Sequence, residues 1–89
     1  MTAFIWVAEL IISDKTEEKI VSRHQITADE VKDAIVCVAG LPFNWDDDPD
    51  RGRRAVIKVK VRNVSYYMVL YPIEDPMGDV WSLGSAYPL

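Results

Sequence analysis

Three cations at period two, Lys58, Lys60 and Arg62, are the residues of this 89-residue chain best spaced to do chemistry. On a β-strand, residues two apart project from one face about 6–7 Å from each other, close to the spacing of successive phosphates along an RNA strand. The planar fork of Arg62 could grip a phosphate at two points, with the lysines acting as point charges. Arg51, Arg53 and Arg54 lie just upstream and extend the positive stretch. The competing reading is a solvating surface whose charges discourage pairing with other strands.

His24 is the single histidine. Imidazole is the natural general acid or base near neutral pH, and a place at the end of a helix would favour its protonated form. Capping that helix, or packing between two helices, is the alternative. Tyr66, Tyr67, Tyr71, Tyr87, Trp45 and Trp81 could stack on bases. Tyr71 and Tyr87, near strand ends, are expected at the surface and the others in the core. Asp46, Asp47, Asp48 and Asp50 lack the ligand spacing, central glycine and closing glutamate of a calcium loop. They read as a solvated loop. Cys37, the only cysteine, excludes an internal disulfide and reads as a small core residue. No zinc spacing, phosphate-binding glycine loop or nucleophile elbow is present, and no metal or cofactor is expected.

The net charge of −4 conceals an asymmetry. Residues 1–50 carry eleven acids against four bases, residues 51–62 six bases and no acid, and residues 63–89 three acids alone. Bulk acidity argues against phosphate binding, and the clustering argues for it. Length and composition describe one small α+β domain spanning 1–89. Its apolar start, interrupted by Glu9, has neither the flanks of a signal peptide nor the length of a membrane span, so the cytoplasm is the expected location.

The elements that must position these residues follow from periodicity. Ala3–Ile12 reads as a largely buried strand. Asp14 and Glu17 suggest a capping box opening a helix to Arg23 or His24, with Ile20 and Val21 facing inward. Thr27 and Glu30 form a second capping box, Ile26 and Val31 a hydrophobic staple, and Val31, Ala34, Ile35 and Val38 an apolar stripe. That helix is expected over Ala28–Ala39, with Gly40 as its left-handed cap. Residues 43–53 read as the longest loop. Strands are expected over Ala55–Val64, Ser65–Pro72 and Val80–Tyr87, the first two joined by a tight turn near Asn63, with a further turn over 74–79. The order β-α-α-β-β-β predicts a small, mainly antiparallel sheet with both helices on one face.

The segment Lys19–Ile35, KIVSRHQITADEVKDAI, resembles a pattern in RelE/ParE-superfamily toxins, particularly the BrnT-like branch. There a basic residue and a histidine precede a small loop, Ile/Val-Thr/Ser and Glu-Val. The tail VWSLGSAYP is similar to the last strand of those proteins. The resemblance implies a RelE-like fold and the toxin of a type II toxin–antitoxin pair. Such a bacterial toxin would be a metal-independent endoribonuclease of mRNA, free or on the ribosome, with a cognate antitoxin as its protein partner. Lys58, Lys60 and Arg62 would stabilise the phosphate on a concave sheet face, and His24 and Tyr87 would move protons. Arg23, Arg53, Arg54 and Tyr71 would be further RNA contacts. The alternative is a non-catalytic binding module, a degenerate toxin scaffold docking an acidic protein partner.

Overall fold

The computed structural model describes residues 4–50, 52–73 and 79–88. Arg51 and most of the turn expected over 74–79 lie outside the described residues. The elements run β1 Phe4–Ile5, β2 Glu9–Ile11, α1 Asp14–His24, α2 Ala28–Ile35, β3 Leu41–Asp48, β4 Gly52–Val61, β5 Val64–Pro72 and β6 Val80–Pro88. They form a small α+β domain with one six-stranded mixed sheet, ordered β1-β3-β4-β5-β6-β2. All neighbours are antiparallel except β2, which runs parallel to β6.

The single strand expected over Ala3–Ile12 is instead two strands on opposite edges of the sheet. In a flat sheet those edges would stand five strand spacings apart, about 24 Å. The four residue steps from Ile5 to Glu9 reach at most about 14 Å. The sheet must therefore curl until one short segment serves both edges. Ile5 and Val7 are buried, yet the next buried residue is Leu10, so the alternation slips by one where the chain changes partner. The link is held from both sides: Cys37 N–H donates to the Val7 carbonyl (2.8 Å) and Ala8 N–H to the Asp79 carbonyl (2.9 Å).

Both helices pack on the inner face of the curl, α1 against β6 and α2 against β4. Their Ile20, Ile26, Val31 and Ile35 join Ile57, Met68, Leu70 and Leu83 in one core. Three local expectations change. Ser13, not Asp14, caps α1, its Oγ accepting from Thr16 N–H (3.2 Å), because Ser13 is the last extended residue. Val21 is 45% exposed, leaving Ile20 as the buried contact of α1. And α2 stops at Ile35 rather than Ala39, since Val36 turns extended and Cys37 takes a left-handed φ of 57° to reach Val7. Cys37 is accordingly exposed rather than in the core. The Thr27–Glu30 capping box is present as expected.

The largest revision concerns residues 43–53. Most of the expected loop is strand β3, paired to β4 with Asp46 opposite Arg54 and Asp47 opposite Arg53. Opposite charges across a ladder stabilise pairing, and they offset the repulsion that made the acidic run look like a loop. Between β5 and β6 the register shifts: Val69 pairs with Ser85 but Leu70 with Leu83, leaving Gly84 as a bulge. A Cβ on Gly84 would sit 2.3 Å from Cε2 of Tyr71, so the tyrosine ring occupies the space a side chain would need.

Candidate nucleic-acid interface

Strand β4 alternates as its sequence requires. Ala55, Ile57, Val59 and Val61 are buried toward the helices, while Lys58 and Lys60 are exposed on the outer face. Residues paired across a ladder share a face. Lys58 pairs with Tyr67, and Tyr67 with Tyr87, so a lysine and two tyrosines form one row across three strands. The two rings lie 5.7 Å apart between centroids and are 36% and 44% exposed. Lys60 sits one step further along the same face, opposite Ser65. Val69, on this face between Tyr67 and Tyr71, is only 2% exposed.

Arg62 does not complete the stripe. With Asn63 it forms the two-residue turn between β4 and β5, both at positive φ (53° and 66°), the geometry that suits a tight hairpin. The alternation ends there and the side chain turns to α2. Its Nη2 donates to Glu30 Oε1 (2.8 Å) and its Nε to Glu30 Oε2. Glu30 Oε1 also accepts from Thr27 N–H (3.1 Å), so one carboxylate caps a helix and holds the hairpin. The Arg62 hydrogen bonds keep the Glu30 carboxyl below its ordinary range.

Arg54 is similarly engaged. Its Nη2 lies 2.6 Å from Asp46 Oδ2 and its Nη1 3.5 Å from Asp48 Oδ2. Tyr71, expected as an open stacking surface, lies against Gly84 and donates its hydroxyl to Asp48 Oδ2 (3.1 Å). Arg53 stacks on Trp45, its guanidinium carbon 5.0 Å from the ring centroid. Trp45 in turn contacts Phe43 and Trp81.

His24 is on the other side of the sheet. It packs edge-on against Tyr66 (5.8 Å between centroids), and Tyr66 is a buried inner-face residue. Tyr66 and Tyr67 are consecutive on one strand and point to opposite faces. The structure therefore separates His24 from Lys58, Lys60 and Tyr87, and the four do not converge on one phosphate. Arg23 stays with His24, lining a small cleft between α1 and β6. Lys58 and Lys60 occupy the outer side of the curl, away from the core it encloses, rather than a concave hollow. Tyr67 is the residue that sequence reasoning undervalued, because only the strand register reveals it beside Lys58 and Tyr87.

Among the described residues, no three His, Cys, Asp or Glu side chains are grouped to hold a metal ion, and no helix is long and apolar enough to cross a membrane. No known protein family, characterised protein or solved structure matches the chain. The toxin resemblance thus rests on Lys19–Ile35 and Val80–Pro88 alone.

Proposed function

We propose that this protein is a binding module for single-stranded RNA, holding it on the outer face of β4, β5 and β6 without cleaving it. The observation that carries the reading is the row Lys58–Tyr67–Tyr87, with Lys60 beside it. Exposed aromatic rings give unpaired bases a sequence-tolerant platform, and nearby lysines neutralise the backbone that passes them. Among the described residues neither lysine is ion-paired, whereas Arg54 and Arg62 both are. The acids of β3 lie at the far end of the sheet, opposite Arg53 and Arg54 rather than beside Lys58, and the acids nearest Lys60 are Glu30 and Asp33 of α2, the first of them held by Arg62.

Binding rather than cleavage follows from the distribution of groups. General acid–base attack on a phosphodiester needs a proton acceptor within hydrogen-bond reach of the phosphate that the cations hold. The imidazole of His24 and the lysine face lie on opposite sides of the sheet, so of the two expected proton carriers only the Tyr87 phenol stands beside the lysines, without the imidazole as its partner. On the toxin reading, an antitoxin would cover the lysine–tyrosine face and a ribonuclease would act there.

The test is fluorescence anisotropy of labelled oligouridine with the wild type, Lys58→Ala/Lys60→Ala, and Tyr67→Ala/Tyr87→Ala, followed by gel analysis of the RNA. Saturable binding by the wild type, lost in both variants and leaving the RNA intact, is the expected result. Cleaved RNA would restore the nuclease reading. Indifference to RNA, with salt-sensitive capture of an acidic protein through the same lysines, would replace RNA by a protein partner.

A further inference from the structure

A second basic site lies on the helix side of the sheet, independent of the outer face. Strand β2 pairs with β6 only as far as Ile11 opposite Ser82. Beyond that point α1 packs against β6, and a cleft of about 80 Å³ remains between them. Lys19, Arg23 and His24 form one wall, and Gly84, Ser85 and Ala86 the other. The spacing on α1 explains the wall: positions 19 and 23 are one turn apart on the same helix face.

We infer that this cleft is a binding site for a phosphate monoester group. Its lining carries two fixed positive charges, an imidazole and the hydroxyl of Thr16, and no acidic side chain. Among the described residues, neither Lys19 nor Arg23 is ion-paired. The cleft is large enough for a tetrahedral oxyanion and open on one side, so a terminal phosphate can insert from solvent. Arg23 supplies the fork-shaped contact and Lys19 a point charge. The acids of α1 that could compete, Asp14, Glu17 and Glu18, line a different hollow with Val21 and Ser22.

Two sources could present this chemistry, a small phosphate compound or the 5′ end of a nucleic acid. The experiment follows backbone amides by NMR while inorganic phosphate is titrated into the full chain. Saturable shifts confined to residues 16–24 and 84–86 are expected, with affinity on the order of millimolar for so small a ligand. Arg23→Gln and Lys19→Gln, both at exposed positions, should each weaken binding about tenfold, as loss of a charge-assisted contact does. Lys58→Ala/Lys60→Ala should leave it unchanged, which separates this site from the outer face. Anisotropy with 5′-phosphorylated and 5′-hydroxyl oligonucleotides then assigns the source. A preference for the phosphorylated end that disappears in Arg23→Gln points to nucleic-acid ends; equal binding of both oligonucleotides, with the phosphate shifts intact, points to a small phosphate compound. Absence of shifts at 84–86, or shifts that survive both α1 substitutions, overturns the site.

Discussion

The salt dependence of RNA binding offers the sharpest check on the outer-face reading, because the ion pairs dictate its size. Each phosphate neutralised on a single strand contributes about −0.7 to the slope of log K against log salt. Four cations flank this face in the sequence, which would give a slope of about −2.8. The structure commits Arg54 to Asp46 and Asp48 and Arg62 to Glu30, leaving Lys58 and Lys60 and a slope of about −1.4. Between 50 and 200 mM salt that is a loss of about sevenfold in affinity, against about fiftyfold for four free cations. Anisotropy titrations of oligouridine across this range measure it directly. Removing one lysine should bring the slope to about −0.7, and removing both should bring it close to zero. A slope near −2.8, or one indifferent to both lysines, would show that other cations carry the charge and that the reasoning from ion pairs is wrong.

Tyr67→Ala and Tyr87→Ala should each cost about 1–3 kcal/mol of RNA binding without altering the salt slope, as read by the same titrations. Gly84→Ala should destabilise the fold by about 1–3 kcal/mol, because its methyl group meets the Tyr71 ring; chemical denaturation measures this, and Tyr71→Leu in the same chain should recover part of it. Met68→Ala, at a fully buried position, should cost about 2–5 kcal/mol in the same assay. For Glu30, the folded carboxyl titrates below its ordinary value of 4.5. Its stabilising contribution is therefore present above that value and lost as pH falls through the lower folded one. Glu30→Gln should flatten the acid limb of stability against pH, measured by urea denaturation at stepped pH, and leave the neutral-to-alkaline range unchanged in shape.

Much of the architecture was legible because it is written in local pattern. The Thr27–Glu30 box, the first turns of the α2 stripe (Val31, Ala34 and Ile35) and the alternation of β4 up to Val61 are short-range signals that appear where expected, whereas Val38 falls beyond the helix end and Arg62 beyond the strand. What escaped depends on partners distant in sequence. The run of Asp46–Asp48 reads as a loop until Arg53 and Arg54 are placed opposite it. The N-terminal strand reads as one element because hydrophobicity does not reveal that it serves two edges. At the candidate site, Lys58 and Lys60 were visible as a pair, but the fate of Arg62 turned on two positive φ angles and on Glu30, thirty-two positions away. His24 was a sound candidate by chemistry alone. Its placement against Tyr66, one residue from Tyr67 yet on the opposite face, is a matter of strand register that a single sequence does not display.

The curl closed by the first described residues also bears on how the domain assembles. Leu10 pairs with Trp81, 71 positions away, and Ile5 pairs with Leu41, so the final seam joins the most remote parts of the polypeptide. Such non-local closure makes folding slow and cooperative. Until it forms, β3 and β6 each offer a bare ladder to any passing strand. The segment that completes the domain is thus also its protection against aggregation, and changes in its few residues should lower the yield of soluble protein before they lower the affinity of the folded form.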